Sequence, residues 1–132
     1  MQIGGLMKSK MNDPLSGKVI GCAMAVHREL GFGFLESVFH RALELELAAA
    51  GLNFESEKRM TVFYRGKVVG YFIADLVVEG TLVVELKAVE MVAKAHEVQL
   101  VNYLTAANID HGLLINFGTE SLGVRRKFKR SK

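Results

Sequence analysis

At 132 residues, half of them apolar and 23% charged, the chain is one domain's worth of sequence with enough apolar side chains for a real core, which excludes a disordered chain. The longest uncharged apolar run is far too short to span a membrane, and the single Cys22 excludes an internal disulfide and a cysteine zinc cluster. The net charge of +3 hides an asymmetry, because the last eight residues hold six of the 17 basic side chains and the rest sets 11 basic against 14 acidic residues.

No signal-peptide pattern opens the chain, and a cysteine-poor sequence of this kind fits a reducing cytoplasm. Residues 1–10 lack periodicity and a natural-looking start recurs at Met11, so a flexible leader is expected over 1–11. The folded domain is expected over 12–124 and a basic tail over 125–132. Such a tail either solubilises a terminus or grips a phosphate backbone, with Arg125 and Arg126 as candidate contacts.

Asp13 and Pro14 form a helix start, cap and first helical position, and Leu15, Val19, Cys22, Val26 and Leu30 recur at helical spacing up to Gly31. Cys22 falls on that apolar face and reads as a buried structural thiol. A second helix is expected from near Phe34, with Leu35, Val38, Phe39, Ala42, Leu45 and Ala49 as its apolar stripe and Gly51 as its end. Met60–Tyr64 reads as a strand that turns through Arg65-Gly66-Lys67 into Val68–Val78. The turn Glu79-Gly80-Thr81 leads into Leu82–Lys87. A third helix is expected from about Val92 to Ala107, then a short buried strand over Gly112–Asn116 and a turn at Asn116-Phe117-Gly118. The order α-α-β-β-β-α-β describes a single layered α/β domain, a mixed β-sheet flanked by helices.

Two of these strands carry charge in apolar surroundings. Asp75 interrupts Val68–Val78, and Glu85 and Lys87 end Leu82–Lys87. Ionised groups in such places cost several kcal/mol unless paired or bound to a metal. If Glu79-Gly80-Thr81 is a three-residue loop, Asp75 lies opposite Glu85, and Lys87 shares their face. A one-residue slip would separate them. Two carboxylates gathered in a nearly dry place repel unless a cation lies between them, and hard oxygen ligands suit Mg²⁺ or Mn²⁺. A neighbouring lysine can orient an attacking water or stabilise a phosphorane-like transition state. The arrangement suits metal-assisted phosphodiester hydrolysis. The plainer alternative is a buried salt bridge between Lys87 and the acids.

Two further groups are candidates from spacing. His96, Gln99 and Tyr103 share one face of the third helix, where they either contact phosphate and bases or form a polar border of the core. Glu36 lies in the first turn of its helix, a favourable place for any carboxylate. His27, His40 and His111 have no metal-spaced partner and read as surface residues. Gly31-Phe32-Gly33 is not a phosphate loop, since no strand precedes it, and no Ser-His-Asp or Cys-His set can be argued.

Asp75 followed by Glu85-Leu86-Lys87 on a hairpin, with a helix before it, resembles the PD-(D/E)xK nuclease superfamily and its restriction-endonuclease-like fold. More closely, the chain resembles the bacterial GxxExxY proteins of that superfamily. The matching stretches are Gly31–Phe39 with Ala42-Leu43, Ala74–Glu79, Val84–Val89, His96–Leu100 with Asn102-Tyr103-Leu104, and Gly112–Gly118. Phe39 stands where the family name has Tyr, and Ala74 where the superfamily pattern has Pro. The resemblance implies Asp75 and Glu85 as metal ligands and Lys87 as the water-orienting or charge-stabilising residue. It implies Glu36 as a helix carboxylate in the site and Gln99 as the polar residue on the following helix.

The function expected from all this is metal-dependent hydrolysis of DNA or RNA. The alternative is a non-catalytic module of the same fold that binds nucleic acid or protein. Because the body of the chain is acidic, grip on a polyanion has to come from the basic tail, a homodimer partner or another protein.

Overall fold

The computed structural model describes residues 13–131, so the expected leader over 1–11 lies outside the described residues. The described chain runs α1 (Pro14–Leu30), α2 (Glu36–Ala49), β1 (Phe54–Tyr64), β2 (Lys67–Val78), β3 (Leu82–Lys87), α3 (Lys94–Ala107), β4 (His111–Asn116) and β5 (Gly123–Phe128). The strands form one sheet in the order β1-β2-β3-β4-β5. Only the β3–β4 pair is parallel. The sheet is therefore mixed, as expected, with a fifth strand that sequence reading missed.

α1 starts as the sequence demands. The Asp13 carboxylate accepts from the Ser16 N–H at 2.9 Å, and Gly31 (φ 72°) ends the helix. α1 and α2 cover one face of the sheet. Val19, Cys22, Ala23 and Val26 pack there with Phe39, Leu43 and Leu47 against Leu76, Val78, Leu82, Val84, Leu86, Leu113 and Ile115. α3 covers the other face through Leu100 and Leu104, against Val77, Val83 and Leu114.

The expected α2 stripe needs correction. The helix buries Phe39, Leu43 and Leu47, whereas Leu35 and Leu45 are 75% and 58% exposed. Its rotation is set by Phe39, whose ring stacks on Phe117 with centroids 4.8 Å apart. That partner is 78 positions away in the chain, so no local pattern reveals it.

β1 begins at Phe54, six residues before the expected Met60. The added stretch, Glu55-Ser56-Glu57-Lys58-Arg59, is polar because β1 is an edge strand, where charge discourages pairing with other chains. The basic run also needs correction. Arg125, Arg126 and Lys127 belong to β5, paired antiparallel to β4, with Arg126 opposite Leu113. It too is a charged edge strand, formed by pairing rather than burial, so neither periodicity nor hydropathy could reveal it. Lys127 lies 2.9 Å from Glu97 on α3, and Arg125 lies 3.4 Å from it. Lys129 pairs with Asp110 and Arg130 bonds Asn102.

β2 breaks its own alternation at Asp75. Phe72 and Ala74 pack on the α3 side, yet Leu76 and Val78 pack on the α1–α2 side. In a regular strand these four would share one face. Across the ladder, Glu57 has φ 50° and the pairing skips from Ser56–Leu76 to Lys58–Ala74. β1 switches faces at the same step, since Phe54 joins the first core and Met60 and Val62 the second. Beyond Leu76, β2 pairs only with β1, so residues 67–74 project past the end of β3 as a two-stranded arm.

Candidate active site

The Glu79-Gly80-Thr81 loop has the expected length. Leu76 pairs with Val84, Val77 with Val83 and Val78 with Leu82. One step further, backbone pairing stops and the carboxylates take over. The Asp75 N–H donates to Glu85 Oε2 at 2.9 Å, and the Leu86 N–H donates to Asp75 Oδ2 at 2.7 Å. Where the strands diverge, two amide donors would otherwise lack partners, and each acidic side chain reaches across to satisfy one. Asp75 and Glu85 are thus pinned to each other's strands, and the break in β2 falls where a carboxylate replaces a carbonyl.

Burial differs between the two. Glu85 is 9% exposed, seated beside Leu114 of β4, while Asp75 is half-buried. Desolvation first, then the charge of Asp75, pushes the Glu85 carboxyl up to about 8, against the Asp75 N–H bond and Lys87, which favour the anion. Lys87 is half-buried at the carboxyl end of β3.

Glu36 joins from α2. Its residue is exposed, yet partial desolvation of the carboxyl, and then the charge of Asp75, raises it above the ordinary range, with Lys87, His40 and His96 opposing. The first-turn position that any carboxylate favours thus also brings Glu36 within electrostatic reach of Asp75 and Glu85.

From the other layer, Tyr103 stacks on Phe72 with centroids 3.9 Å apart, and its hydroxyl accepts from the Gln99 amide at 2.7 Å. Burial and then the charges of Glu85 and Asp75 raise the Tyr103 hydroxyl. Gln99 is exposed. His96 Nδ1 accepts from the Ala93 N–H at 3.1 Å, which places the proton of a neutral ring on Nε2. Glu36, Asp75, Glu85, Lys87, His96, Gln99 and Tyr103 therefore form one electrostatic neighbourhood beyond the end of β3. Arg125 and Arg126 do not join it, since β5 lies at the far edge of the sheet, beyond β4.

The expected surface histidines are half-buried instead. His111 Nε2 lies 2.7 Å from Asp13 Oδ2, and His27 Nε2 lies 2.8 Å from the Thr119 carbonyl oxygen. His40 Nε2 contacts both Ser56 Oγ at 2.9 Å and Glu44 Oε2 at 3.2 Å, an arrangement in which one nitrogen serves both partners and no relay forms.

Asn116, read from sequence as part of a turn, fixes the segment after Lys87. Its Oδ1 accepts from the Val89 N–H and its Nδ2 donates to the Val89 carbonyl, at 3.0 and 2.9 Å. Gly118 allows this approach, because a Cβ there would overlap the backbone N and O of Val89. Gly118→Ala is therefore expected to destabilise the fold by about 1–3 kcal/mol in urea titrations, since backbone rather than a flexible side chain must give way.

The donor chemistry fits a hard divalent cation. Asp75 and Glu85 each spend one oxygen on a backbone amide, and three carboxyl groups share one lysine as counter-charge. Among the described residues, no group of three or more His, Cys, Asp or Glu forms a ready-made metal cage. A cation here would be held by two protein carboxylates and complete its shell with water or substrate, as Mg²⁺ commonly does.

This fold and this pair of opposed carboxylates with a following lysine define a nuclease-type core. The sequence matches the PD-(D/E)XK nuclease superfamily over residues 13–130, and the chain belongs to that superfamily. Among solved structures it is similar to the one titled "Crystal structure of SSO0001", with a TM-score of 0.56 and 21% identity, covering 74% of this chain. The match spans about half of that neighbour, 52% of its length, and the likeness shows the fold. No curated protein matches the sequence significantly.

Proposed function

We propose that the protein is a metal-dependent nuclease that hydrolyses phosphodiester bonds in DNA or RNA, with Asp75 and Glu85 holding Mg²⁺ or Mn²⁺. The observation that carries the reading is the Asp75–Glu85 pair, pinned across diverging strands beside Lys87, with Glu85 pushed up to about 8. Three carboxyl groups there share one lysine, and a bound cation would add the positive charge they are short of while activating water and offsetting charge on the phosphate. The chain's own residues do the rest. Lys87 orients the attacking water or neutralises the developing oxyanion. Glu36, whose carboxyl is raised by partial desolvation and the charge of Asp75, faces the same site and is the candidate proton carrier there. Gln99, His96 and Tyr103 border the site from α3.

The spacing of Gly33, Glu36 and Phe39, with Phe in place of the final Tyr, supports assignment to the GxxExxY branch, and the buried Cys22 thiol fits a cytoplasmic setting. Among the described residues no helix is long and apolar enough to cross a membrane. A second reading, a non-catalytic module that keeps the fold, draws on the lack of a three-ligand metal cage among the described residues.

Lys87→Ala separates the readings. In the nuclease, Mn²⁺ or Mg²⁺ raises the Tm of both parent and variant, since the carboxylates remain, while cleavage of labelled DNA or RNA falls at least about 100-fold in the variant. No metal-induced shift and no cleavage by the parent would establish the second reading.

A further inference from the structure

The acidic body left open how this protein holds a polyanion, and the basic run at the C-terminus was the obvious source. Its charges are largely committed to Glu97, Asp110, Asn102 and Asn108. The arm formed by β1 and β2 has the opposite character. From Lys58 to Ala74 the chain carries Lys58, Arg59, Arg65 and Lys67 and no acidic residue. Arg59, Arg65 and Lys67 have no acidic partner within ion-pair distance among the described residues.

The arm's two faces differ. Phe72, Met60 and Val62 turn inward onto α3. The face switch at Asp75 sends Arg59 and Thr61 of β1, and Val69, Tyr71 and Ile73 of β2, to the other side. No helix covers them there, and Val69, Tyr71 and Ile73 are 61%, 58% and 43% exposed. This outer face carries on from the carboxylates, because Asp75 is the residue at which the switch occurs.

We propose that the outer face of this arm is a docking surface for duplex DNA, gripping its phosphate backbone and one groove beside the candidate active site. The inference rests on the nucleic-acid reading above and names the substrate form. An uncompensated positive strip fits a line of phosphates. A two-stranded antiparallel ribbon fits the major groove of B-form DNA, whereas the A-form major groove of duplex RNA is too narrow. Binders of single strands present several open aromatic faces to bases. Here Phe63 is 61% exposed, while the Arg59 guanidinium lies 3.9 Å over the Tyr71 ring and that of Arg65 5.3 Å over Tyr64, so a single strand is the competing occupant that the test includes. From Asp75 to Lys67 the strand spans roughly 26 Å, so the arm's tip meets the duplex about seven or eight base pairs from the scissile bond.

The test measures binding of the full chain by fluorescence anisotropy in EDTA, so that it does not depend on metal or cleavage. The probes are a labelled 30-base-pair DNA duplex, the same duplex as RNA, and a 30-nucleotide oligo(dT). Arg65→Glu with Lys67→Glu is compared with the same charge change on α1, Lys18→Glu with Arg28→Glu, and circular dichroism checks the fold of both. The arm variant is expected to bind the DNA duplex at least about tenfold more weakly and to lower the slope of log K against log salt by about 2. The α1 variant is expected to lose less than about threefold.

Equal losses in the two variants, tighter binding to oligo(dT) or duplex RNA, or no binding by the parent would each overturn the proposal. So would a parent dimer that dissociates in the arm variant, which would mark the face as an interface between copies. Metal-induced shifts in Tm report on the carboxylate site independently of all these outcomes.

Discussion

Asp75→Asn is expected to abolish both metal-dependent stabilisation and cleavage while leaving the fold intact. The Asn side-chain oxygen can still accept from the Leu86 N–H, now held at 2.7 Å by Asp75 Oδ2, so the strands remain joined where they diverge. In the proposed metal site the change removes a charged ligand, and Glu85 alone would not retain the cation. Cleavage should fall by at least about 100-fold, the upper end of what disturbing even a supporting group around a metal costs. Without metal, the Tm should be unchanged or higher, because one of three mutually repelling carboxylates has been neutralised. The Glu85 titration, followed by carboxyl NMR, should move down from about 8 toward the ordinary range as the Asp75 charge disappears, with burial still holding it partly raised. A variant that keeps cleavage, or keeps its metal-induced rise in Tm, would remove Asp75 from the site.

Glu85 should make the metal-free protein less stable as pH rises, the reverse of what a salt-bridged carboxylate does. The group titrates near 4.5 when unfolded and at about 8 when folded. Between those values the folded state binds a proton that the unfolded state does not. Stability therefore declines across that window and levels off above it, by an amount of the order of a few kcal/mol. Urea titrations from pH 5 to 9 should show this decline in the parent and a flatter profile in Glu85→Gln, whose side-chain oxygen can still accept from the Asp75 N–H. At pH 8–9 the variant should be the more stable of the two. Because metal and proton compete for the same carboxyl, Mg²⁺ or Mn²⁺ affinity in the parent should rise over the same range. A parent profile that climbs with pH would show Glu85 to be stabilised as an anion, and would remove the charge deficit on which the metal site rests.

The elements legible in the sequence were those with local signals. α1 was bounded by Asp13, Pro14 and Gly31, and the β2–β3 hairpin by a loop whose length fixed the register. That register brings Asp75 opposite Glu85, so the centre of the candidate site is legible in the sequence. The illegible parts share one cause. β5 and the first half of β1 are edge strands, held by backbone pairing to a neighbour and free to be charged. The buried row of α2 was set by Phe117, and the half-burial of His111 by Asp13, in each case a partner far along the chain.

By itself, then, the sequence determined the class of fold, the hairpin and the residue types gathered at the end of β3, because alternation, caps and turn length are short-range properties. Only the tertiary structure decided how those residues are held and what lies beside them. It alone shows the carboxylates substituting for missing backbone partners, the face switch at Asp75 and Glu57, the clamping of β5 by Glu97, and the exposed basic arm. Each arises where strands separate or elements from distant parts of the chain meet, and unsatisfied hydrogen-bond donors and charge balance there are settled by neighbours in space rather than in sequence.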